Sequence, residues 1–367
     1  MDVKALTERL ISYDTSTAEG IKKAAGFMKG WLEARDIPVD ELEMRGMPVL
    51  ASAVGAESGP TIVLHGHLDV VPGRSEQFTP RTEGDRLFGR GAYDMKGGLA
   101  AMMLAVQELQ AQRDVRVLFV VVPDEESEET SDRATDFLVK NGYSGDFAIT
   151  GEPTDLHIGL QAKGVLAMRL EVTGTAAHGA TPWLGDNAVL KALDSFRSIE
   201  SLPFARESSD LFDRPSINLG RIIGGDAHNK VPDECVIDVE IRYLPAQDPI
   251  HILEQVSELP DVNVLRHFSR APAIVERNNP FVQVLTEVVG DFLKKDATSV
   301  GRDGASDAIC FIESGVPAVE FGPTGAGHHG PSEWLSIESL TVYKQALIDF
   351  VALVAKRLGE DRHLRIA

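Results

Sequence analysis

The segment Thr61–Gly98 constrains the fold more than any other part of the chain. It opens with an apolar, β-branched run, which predicts a buried parallel strand over Thr61–Leu68. This strand carries His65, His67 and Asp69 at its carboxyl end. Because residues two apart share a face of a strand, His67 and Asp69 project together. The carboxyl ends of strands are where α/β proteins bind ligands.

A histidine beside a carboxylate is typical of a metal ligand with its orienting partner, because the carboxylate accepts the ring N–H that the metal does not use. His67 and Asp69 fit this arrangement, and a solvated strand end is the alternative interpretation. The turn GRGAYDMKGG, Gly89–Gly98, then places Asp94 ahead of a helix rich in Ala, Met and Leu. It lacks the GxGxxG and GxxxxGK[ST] patterns, so it is not a nucleotide loop.

Two later strands also end in acidic residues. The run Val115–Val122 is almost continuously apolar and is followed by Pro123, Asp124, Glu125 and Glu126. The short strand Phe147–Thr150 leads to Glu152. Chance explains one such ending easily, but three endings in His, Asp or Glu favour a common site.

Length, charge and cysteine content limit the classes of protein to which the chain can belong. The 367 residues predict two domains, and a formal net charge of −20 argues against a nucleic-acid partner, which would need clustered Lys and Arg. The two cysteines, Cys235 and Cys310, lie far apart and imply no disulfide framework. No apolar run approaches the ~20 residues of a membrane span, and the amphipathic start lacks a signal-peptide core. We therefore expect a cytoplasmic enzyme without a membrane partner.

The pattern changes at about Lys163. Strands with alternating apolar and polar residues are predicted at Val165–Thr173, Ser216–Ile223 and Glu234–Leu244. After Ala273 the parallel-type pattern returns. We predict an α/β fold with a mixed, mainly parallel sheet flanked by helices in a discontinuous catalytic domain, 1–163 and 274–367, and an inserted α+β domain, 164–273.

The polar strand ends and a late histidine pair supply one set of candidate donors: His67, Asp94, Glu125, Glu126, Glu152, and either His328 or His329. Mixed nitrogen and oxygen donors suit zinc or a similar divalent ion. Two imidazoles and three carboxylates suffice for two ions if one carboxylate bridges them. No cysteine is among the donors, so catalysis is favoured over a structural zinc knot.

The motifs HGHLDVVP, GRGAYDMKGG, PDEES, GEP and the late His329-x-x-x-Glu333 resemble, in order, those of the M20 family of metallopeptidases and deacylases. Acetylornithine deacetylase and succinyl-diaminopimelate desuccinylase belong to this family. The resemblance covers essentially the whole chain. It implies two Zn(II) ions per subunit, with Co(II) or Mn(II) as possible substitutes, and a cis peptide bond at Asp94–Met95.

The resemblance also implies a role for each candidate residue. One ion would take His67 and Glu152, the other Glu126 and His329, and Asp94 would bridge them. Asp69 would orient His67, and Glu125 would be the general base.

The inserted domain resembles the family's lid and dimerisation domain. This implies a homodimer in which His178 stabilises the oxyanion in the partner subunit, while Asn229 and Arg242 contact a substrate carboxylate. A surface histidine, a turn asparagine and a strand-edge arginine are the alternatives. Relatives often carry Thr where this chain has Ala305, which leaves the exact substrate open.

The function expected is hydrolysis of the amide bond of an N-acyl-amino acid by metal-activated water with a glutamate base. A dipeptidase or carboxypeptidase acting on short peptides is the alternative within enzymes. A metal-dependent binding protein without catalysis is the alternative from another class, and the presence of Glu125 argues against it.

Overall fold

The computed structural model describes residues 1–126, 133–294, 299–304 and 306–360. The strands are β1 (Asp40–Met44), β2 (Met47–Gly55), β3 (Thr61–His67), β4 (Arg81–Glu83), β5 (Arg86–Phe88), β6 (Arg116–Val122), β7 (Phe147–Thr150), β8 (Ile158–Ala162), β9 (Gly164–Thr173), β10 (Ala177–His178), β11 (Ser216–Gly224), β12 (Lys230–Val231), β13 (Glu234–Tyr243), β14 (Val262–Arg270), β15 (Ala273–Ile274), β16 (Ser299–Arg302), β17 (Ala318–Glu320), β18 (Gly325–Ala326) and β19 (Trp334–Ser336). The α-helices are α1 (Val3–Ile11), α2 (Ala18–Glu33), α3 (Gly97–Leu109), α4 (Ala134–Lys140), α5 (Ala188–Ile199), α6 (Pro249–Ser257), α7 (Pro280–Leu293), α8 (Ala308–Glu313) and α9 (Ile337–Glu360).

The chain forms two compact units, and the first contains Met1–Leu160, Val275–Val300 and Asp307–Ala367. Its main sheet has the order β1-β2-β6-β3-β7-β17-β8. The central strand β3 pairs in parallel with both β6 and β7, whereas β1, β2 and β8 pair antiparallel with their neighbours. The predicted mixed sheet with a parallel centre is therefore confirmed.

Helices pack along this sheet and bury its apolar strands. Every residue of β6 after Arg116 is buried, as expected for a strand covered on both faces. Helix α3 contacts β3, β6, α1 and α9, and its residues Leu99, Met102 and Val106 are fully buried. This packing anchors the turn before α3, which carries Asp94. No helix in the described part of the chain is long and apolar enough to span a membrane.

The second unit contains Gln161–Ile274 and Gly301–Ser306. The predicted inserted domain, 164–273, is contained in this unit, which also includes Gln161–Lys163, Ile274 and Gly301–Ser306. Its sheet is antiparallel, with the order β11-β13-β9-β14. Helix α5 packs on β9 and β13, and α6 packs on β14. The inward side chains, among them Leu170 and Ile237, form a separate apolar core.

Strand β14 is absent from the sequence prediction for a physical reason. Its register against β9 shifts between Val264 and Arg266, so the alternation of apolar and polar residues is interrupted there. It also lies at the end of the sheet and carries exposed residues such as Leu265 and His267. An edge strand of this kind needs little apolar alternation, which is the signal on which sequence prediction depends.

Candidate metal centre

The side chains of the predicted donor set lie at one edge of the first unit's sheet, at strand ends and in the loops beside them. His67 is the last residue of β3, Glu126 follows β6, and Glu152 follows β7. Because these strands run parallel, with His67 aligned to Val122, their carboxyl ends meet at the same edge.

The other two donors come from turns beside this edge. Asp94 lies in the tight turn Ala92–Lys96 that leads into α3, and its own backbone is extended there, with φ −121° and ψ 96°. The peptide bond Asp94–Met95 is cis, as the resemblance predicts. His329 lies between β18 and β19, with a left-handed backbone φ of 61° that is uncommon outside glycine.

The carboxylate of Asp94 lies between two imidazoles. Its Oδ1 is 3.0 Å from Nε2 of His67, and its Oδ2 is 3.3 Å from Nε2 of His329. The same His329 nitrogen is 2.8 Å from Oε1 of Glu126. The neighbouring His328 is exposed and instead contacts the ring of Tyr93, with centroids 5.9 Å apart.

These donors are spaced for a divalent cation. Ligand atoms of His67, Asp94 and Glu126 all lie within 4.8 Å of one another. Oε1 of Glu152 lies 3.7 Å from Nε2 of His67. It is buried, with no hydrogen-bond partner among the described residues. A buried carboxylate oxygen without a donor is costly, and a metal ion would satisfy it. The residues therefore fit a site for a hard or borderline divalent ion.

The electrostatics of the centre reflect crowded acidic groups around two imidazoles. Burial disfavours the charged form of His67, but the negative charges of Glu152, Asp69 and Asp94 outweigh it and raise its pKa well above the usual range. Hydrogen bonds to Asp94 and Glu126 raise the pKa of His329 to about 10.

The pKa values of the carboxyl groups at this centre shift in opposite directions. Burial works against ionisation of Asp94, but the hydrogen bonds from His329 and His67 outweigh it and lower its pKa. Burial raises the pKa of Glu152 well above its ordinary value, and it raises the pKa of Glu125 to about 8. A carboxyl group with a pKa near neutrality is able both to accept and to return a proton.

Asp69 holds the segment that carries Glu125 and Glu126. Its Oδ1 accepts a hydrogen bond from the backbone N–H of Glu125 at 3.1 Å, and its Oδ2 accepts one from Glu126 at 2.8 Å. Nδ1 of His67 lies 3.0 Å from the backbone oxygen of Asp69 and 3.5 Å from its carboxylate. Asp69 thus contacts the residues that follow β6 as well as His67 at the end of β3. Its hydrogen bonds to the backbone N–H groups of Glu125 and Glu126 are not predicted by the sequence.

A buried ion pair supports the turn that carries Asp94, and sequence reasoning gave it no role. Nη1 of Arg90 donates to Oε2 of Glu333 at 2.9 Å. The Glu333 carboxylate also accepts the backbone N–H groups of Gly91, Tyr93 and Asp94 at 2.9, 3.0 and 3.1 Å. No pattern in the sequence signals this contact, because it joins two loops that are 243 positions apart in the chain.

The remaining predicted residues lie in the second unit. His178 and Asn229 are close together: Gly179 N–H donates to the Asn229 carbonyl at 2.7 Å, and β10 pairs with β12. His178 is exposed, and its Nδ1 accepts the Ala180 N–H at 3.0 Å. Arg242, on β13, donates from Nε to Glu240 at 2.9 Å. Ala305 lies outside the described residues.

The sequence profile of peptidase family M20/M25/M40 matches residues 63–353 of the chain. The chain belongs to this family. It is therefore a hydrolase of a metal-dependent family, and the resemblance inferred from the motifs is confirmed.

Two relatives that share one name are similar to most of the chain. The chain is 30% identical over 324 residues to the succinyl-diaminopimelate desuccinylase of Leptothrix cholodnii, which covers 80% of this chain and 83% of that protein. It is 29% identical over 309 residues to the enzyme of the same name from Erythrobacter litoralis, covering 78% and 79%.

Two solved structures share the fold of the chain. A metallo-carboxypeptidase of this family from Sulfolobus solfataricus has a TM-score of 0.80 at 20% identity and covers 97% of this chain and 100% of its own. A tripeptidase from Staphylococcus aureus has a TM-score of 0.79 at 21% identity and covers 96% and 98%.

Proposed function

We propose that this protein is a di-zinc amidohydrolase that cleaves the amide bond of N-acyl-amino acids. The observation that carries the proposal is the position of Asp94, whose two carboxylate oxygens face different imidazoles, those of His67 and His329. A carboxylate placed in this way suits a bridge between two metal ions.

Each ion has a matched set of ligands in this proposal. His67 and Glu152 would hold one zinc, Glu126 and His329 would hold the other, and Asp94 would contribute a carboxylate to both. Co(II) or Mn(II) would serve as substitutes, because nitrogen and oxygen donors also suit these ions. The bound pair would supply a water whose pKa is lowered from ~15.7 towards ~7.

Glu125 is the proton carrier in this mechanism. It lies beside the proposed ligand Glu126, and burial raises its pKa to about 8, which favours the protonated form that delivers a proton to the amine. The positive charge of the bound ions would favour the ionised form, which accepts a proton from the water. It removes a proton from the attacking water and delivers it to the departing amine nitrogen. Asp69 fixes the backbone of Glu125 through the hydrogen bond at 3.1 Å.

The second unit would supply substrate contacts and a dimer interface. In the proposal His178 of one subunit donates a hydrogen bond to the oxyanion formed in the partner subunit, a contribution of roughly 2.7–4 kcal/mol. Arg242 and Asn229 bind the substrate carboxylate, and the planar guanidinium of an arginine suits two oxygens.

Exposed apolar side chains on the second unit support a homodimer. Trp183 and Leu184 are 75% and 70% exposed, Leu190 on α5 is 60% exposed, and Ile222 and Ile223 on β11 are 40% and 55% exposed. Strand β11 lies at the end of its sheet. A second copy of the chain would cover these side chains and pair with the open edge.

The substrate class is tested by a screen of N-acetyl-amino acids, N-succinyl-amino acids and dipeptides with Zn(II) or Co(II). Relatives named as desuccinylases lead us to expect the highest kcat/KM on an N-succinyl-amino acid. Preference for dipeptides would favour the peptidase alternative instead. Metal binding without hydrolysis of any of these compounds would favour the non-catalytic alternative.

A further inference from the structure

Arg133 occupies a buried position directly before α4 and beside the segment that carries Glu125. Its Nη1 donates to the backbone oxygen of Asp124 at 2.7 Å and also to the backbone oxygen of Glu125. The Asp124 carboxylate in turn accepts the backbone N–H of Ala134 at 3.0 Å. The start of α4 and the end of β6 are thus held together by reciprocal hydrogen bonds.

The backbone of Glu125 is held from both sides. Asp69 accepts its N–H at 3.1 Å, and Arg133 donates to its carbonyl oxygen. Two such contacts restrict the backbone torsions on both sides of the Cα atom, so the direction in which the Glu125 side chain leaves the backbone is restricted as well.

A second set of contacts holds the helix that follows Arg133. Thr135 Oγ1 donates to Oδ2 of Asp307 at 2.5 Å and lies 2.9 Å from Nε2 of His65 on β3. Thr135 and His65 are fully buried, and Asp307 is 2% exposed. The negative charge of Asp307 also favours the charged guanidinium of Arg133. Arg133 is therefore placed by its surroundings and is not a flexible surface side chain.

We propose that Arg133 is a positioning residue for the general base Glu125. This inference rests on the proposed function, because it requires Glu125 to move protons. A general base must lie within roughly 2.6–3.2 Å of the proton that it removes. A displacement of about 1 Å costs up to about 100-fold in rate. By fixing the carbonyl of Glu125, Arg133 keeps this side chain in range without touching the substrate.

The test compares three variants of the full-length, zinc-loaded enzyme. Arg133→Met removes both hydrogen bonds and keeps an unbranched stem of four heavy atoms, which matches that of arginine as far as Nε. Arg133→Lys restores a donor that is able to reach one of the two carbonyls. Leu138→Ala, at a fully buried position of the same helix, is the matched control, since it weakens the packing of α4 and leaves the contacts to Glu125 in place.

We expect Arg133→Met to lower kcat by about 10–100-fold while KM changes by less than about 3-fold. Arg133→Lys should recover a large part of the loss, and zinc content should stay at the wild-type level in both. Leu138→Ala should lower the melting temperature and retain kcat. A kcat of Arg133→Met within about 3-fold of wild type overturns the proposal, and so does an equal loss of kcat in Leu138→Ala.

A second measurement does not depend on turnover. Amide hydrogen exchange should accelerate at residues 124–126 in Arg133→Met and return towards the wild-type rate in Arg133→Lys. Unchanged exchange in Arg133→Met overturns the positioning role. Failure of the proposed function looks different: the wild type then hydrolyses none of the N-acyl-amino acids, or Glu125→Gln retains full activity, whatever the exchange rates are.

Discussion

Arg90 and Glu333 form a buried ion pair, 2.9 Å from Nη1 to Oε2, across 243 positions of the chain. Their side chains are 4% and 1% exposed. The pair joins the turn that carries Asp94 to the loop of His329, because Nη2 of Arg90 also donates to the His329 carbonyl at 3.1 Å. One ion pair therefore holds together the two segments that carry Asp94 and His329.

Removal of either partner of this pair should destabilise the protein, and the two losses should not be additive. Removal of a single partner from a buried ion pair costs about 3–5 kcal/mol, because the remaining charge stays buried. We expect Arg90→Met and Glu333→Gln each to lower the free energy of unfolding of the metal-free protein by this order. The double variant should lose less than the sum. Urea unfolding of all four proteins measures the coupling, and strictly additive losses would contradict it.

The general base is tested by Glu125→Gln. The amide cannot accept a proton, so we expect kcat on the best N-acyl-amino acid to fall by about 10²–10⁴-fold. Zinc content by elemental analysis should remain at two ions per chain, because Glu125 is not a ligand in the proposal. Glu33→Gln, a change at an exposed site in α2, is the charge-matched control. Full metal content with near-normal kcat would remove Glu125 from the mechanism.

The bridging role of Asp94 gives a distinct pattern of metal loss. Asp94→Asn replaces an anionic carboxylate by a neutral amide whose single oxygen is able to ligate only one ion, so the bridge is lost and both ions lose the negative charge between them. Glu152→Gln removes the carboxylate of one ion only. After dialysis at the same free zinc concentration, we expect less than one ion per chain in Asp94→Asn and about one in Glu152→Gln. Equal metal content in the two variants would exclude a bridge.

Parts of this centre could be anticipated from sequence, because they depend on local pattern. An apolar run ending in His or Glu predicts where a parallel strand stops and what it carries there, which placed His67, Glu126 and Glu152 at one edge. The backbone contacts of Asp69 and the pairing of Arg90 with Glu333 had no such signal. They depend on how distant loops pack, and neither residue spacing nor composition encodes that packing.

Buried His65 should make stability depend on pH. Burial lowers its pKa from 6.5 to about 4, so the folded protein binds this proton less readily than the unfolded chain does. The contribution to stability is complete above pH 6.5 and is lost as pH falls towards 4, with a total on the order of 3 kcal/mol.

The measurement is urea unfolding of the metal-free protein at several pH values between 4 and 7, compared with His65→Gln. We expect the variant to lose less stability across this range than the wild type does, because glutamine does not titrate. Parallel curves for the two proteins would show that His65 carries no such proton linkage.

The proposed dimer makes a prediction about shared active sites. If His178 acts in the partner subunit, a site is complete only when an intact Glu125 in one chain meets an intact His178 in the other. Glu125→Gln and His178→Ala homodimers should therefore both be inactive.

A mixed dimer contains one site with both groups intact, so mixing the two variants under subunit exchange should restore activity. Random pairing of equal amounts of chain gives ~0.5 mixed dimers, each with one of two sites active, so the activity should reach up to about a quarter of the wild-type value. If His178 acts within its own chain, every site keeps one defect and the mixture stays inactive. Exchange is followed independently with differently tagged chains, so an inactive mixture with proven mixed dimers would exclude the shared site.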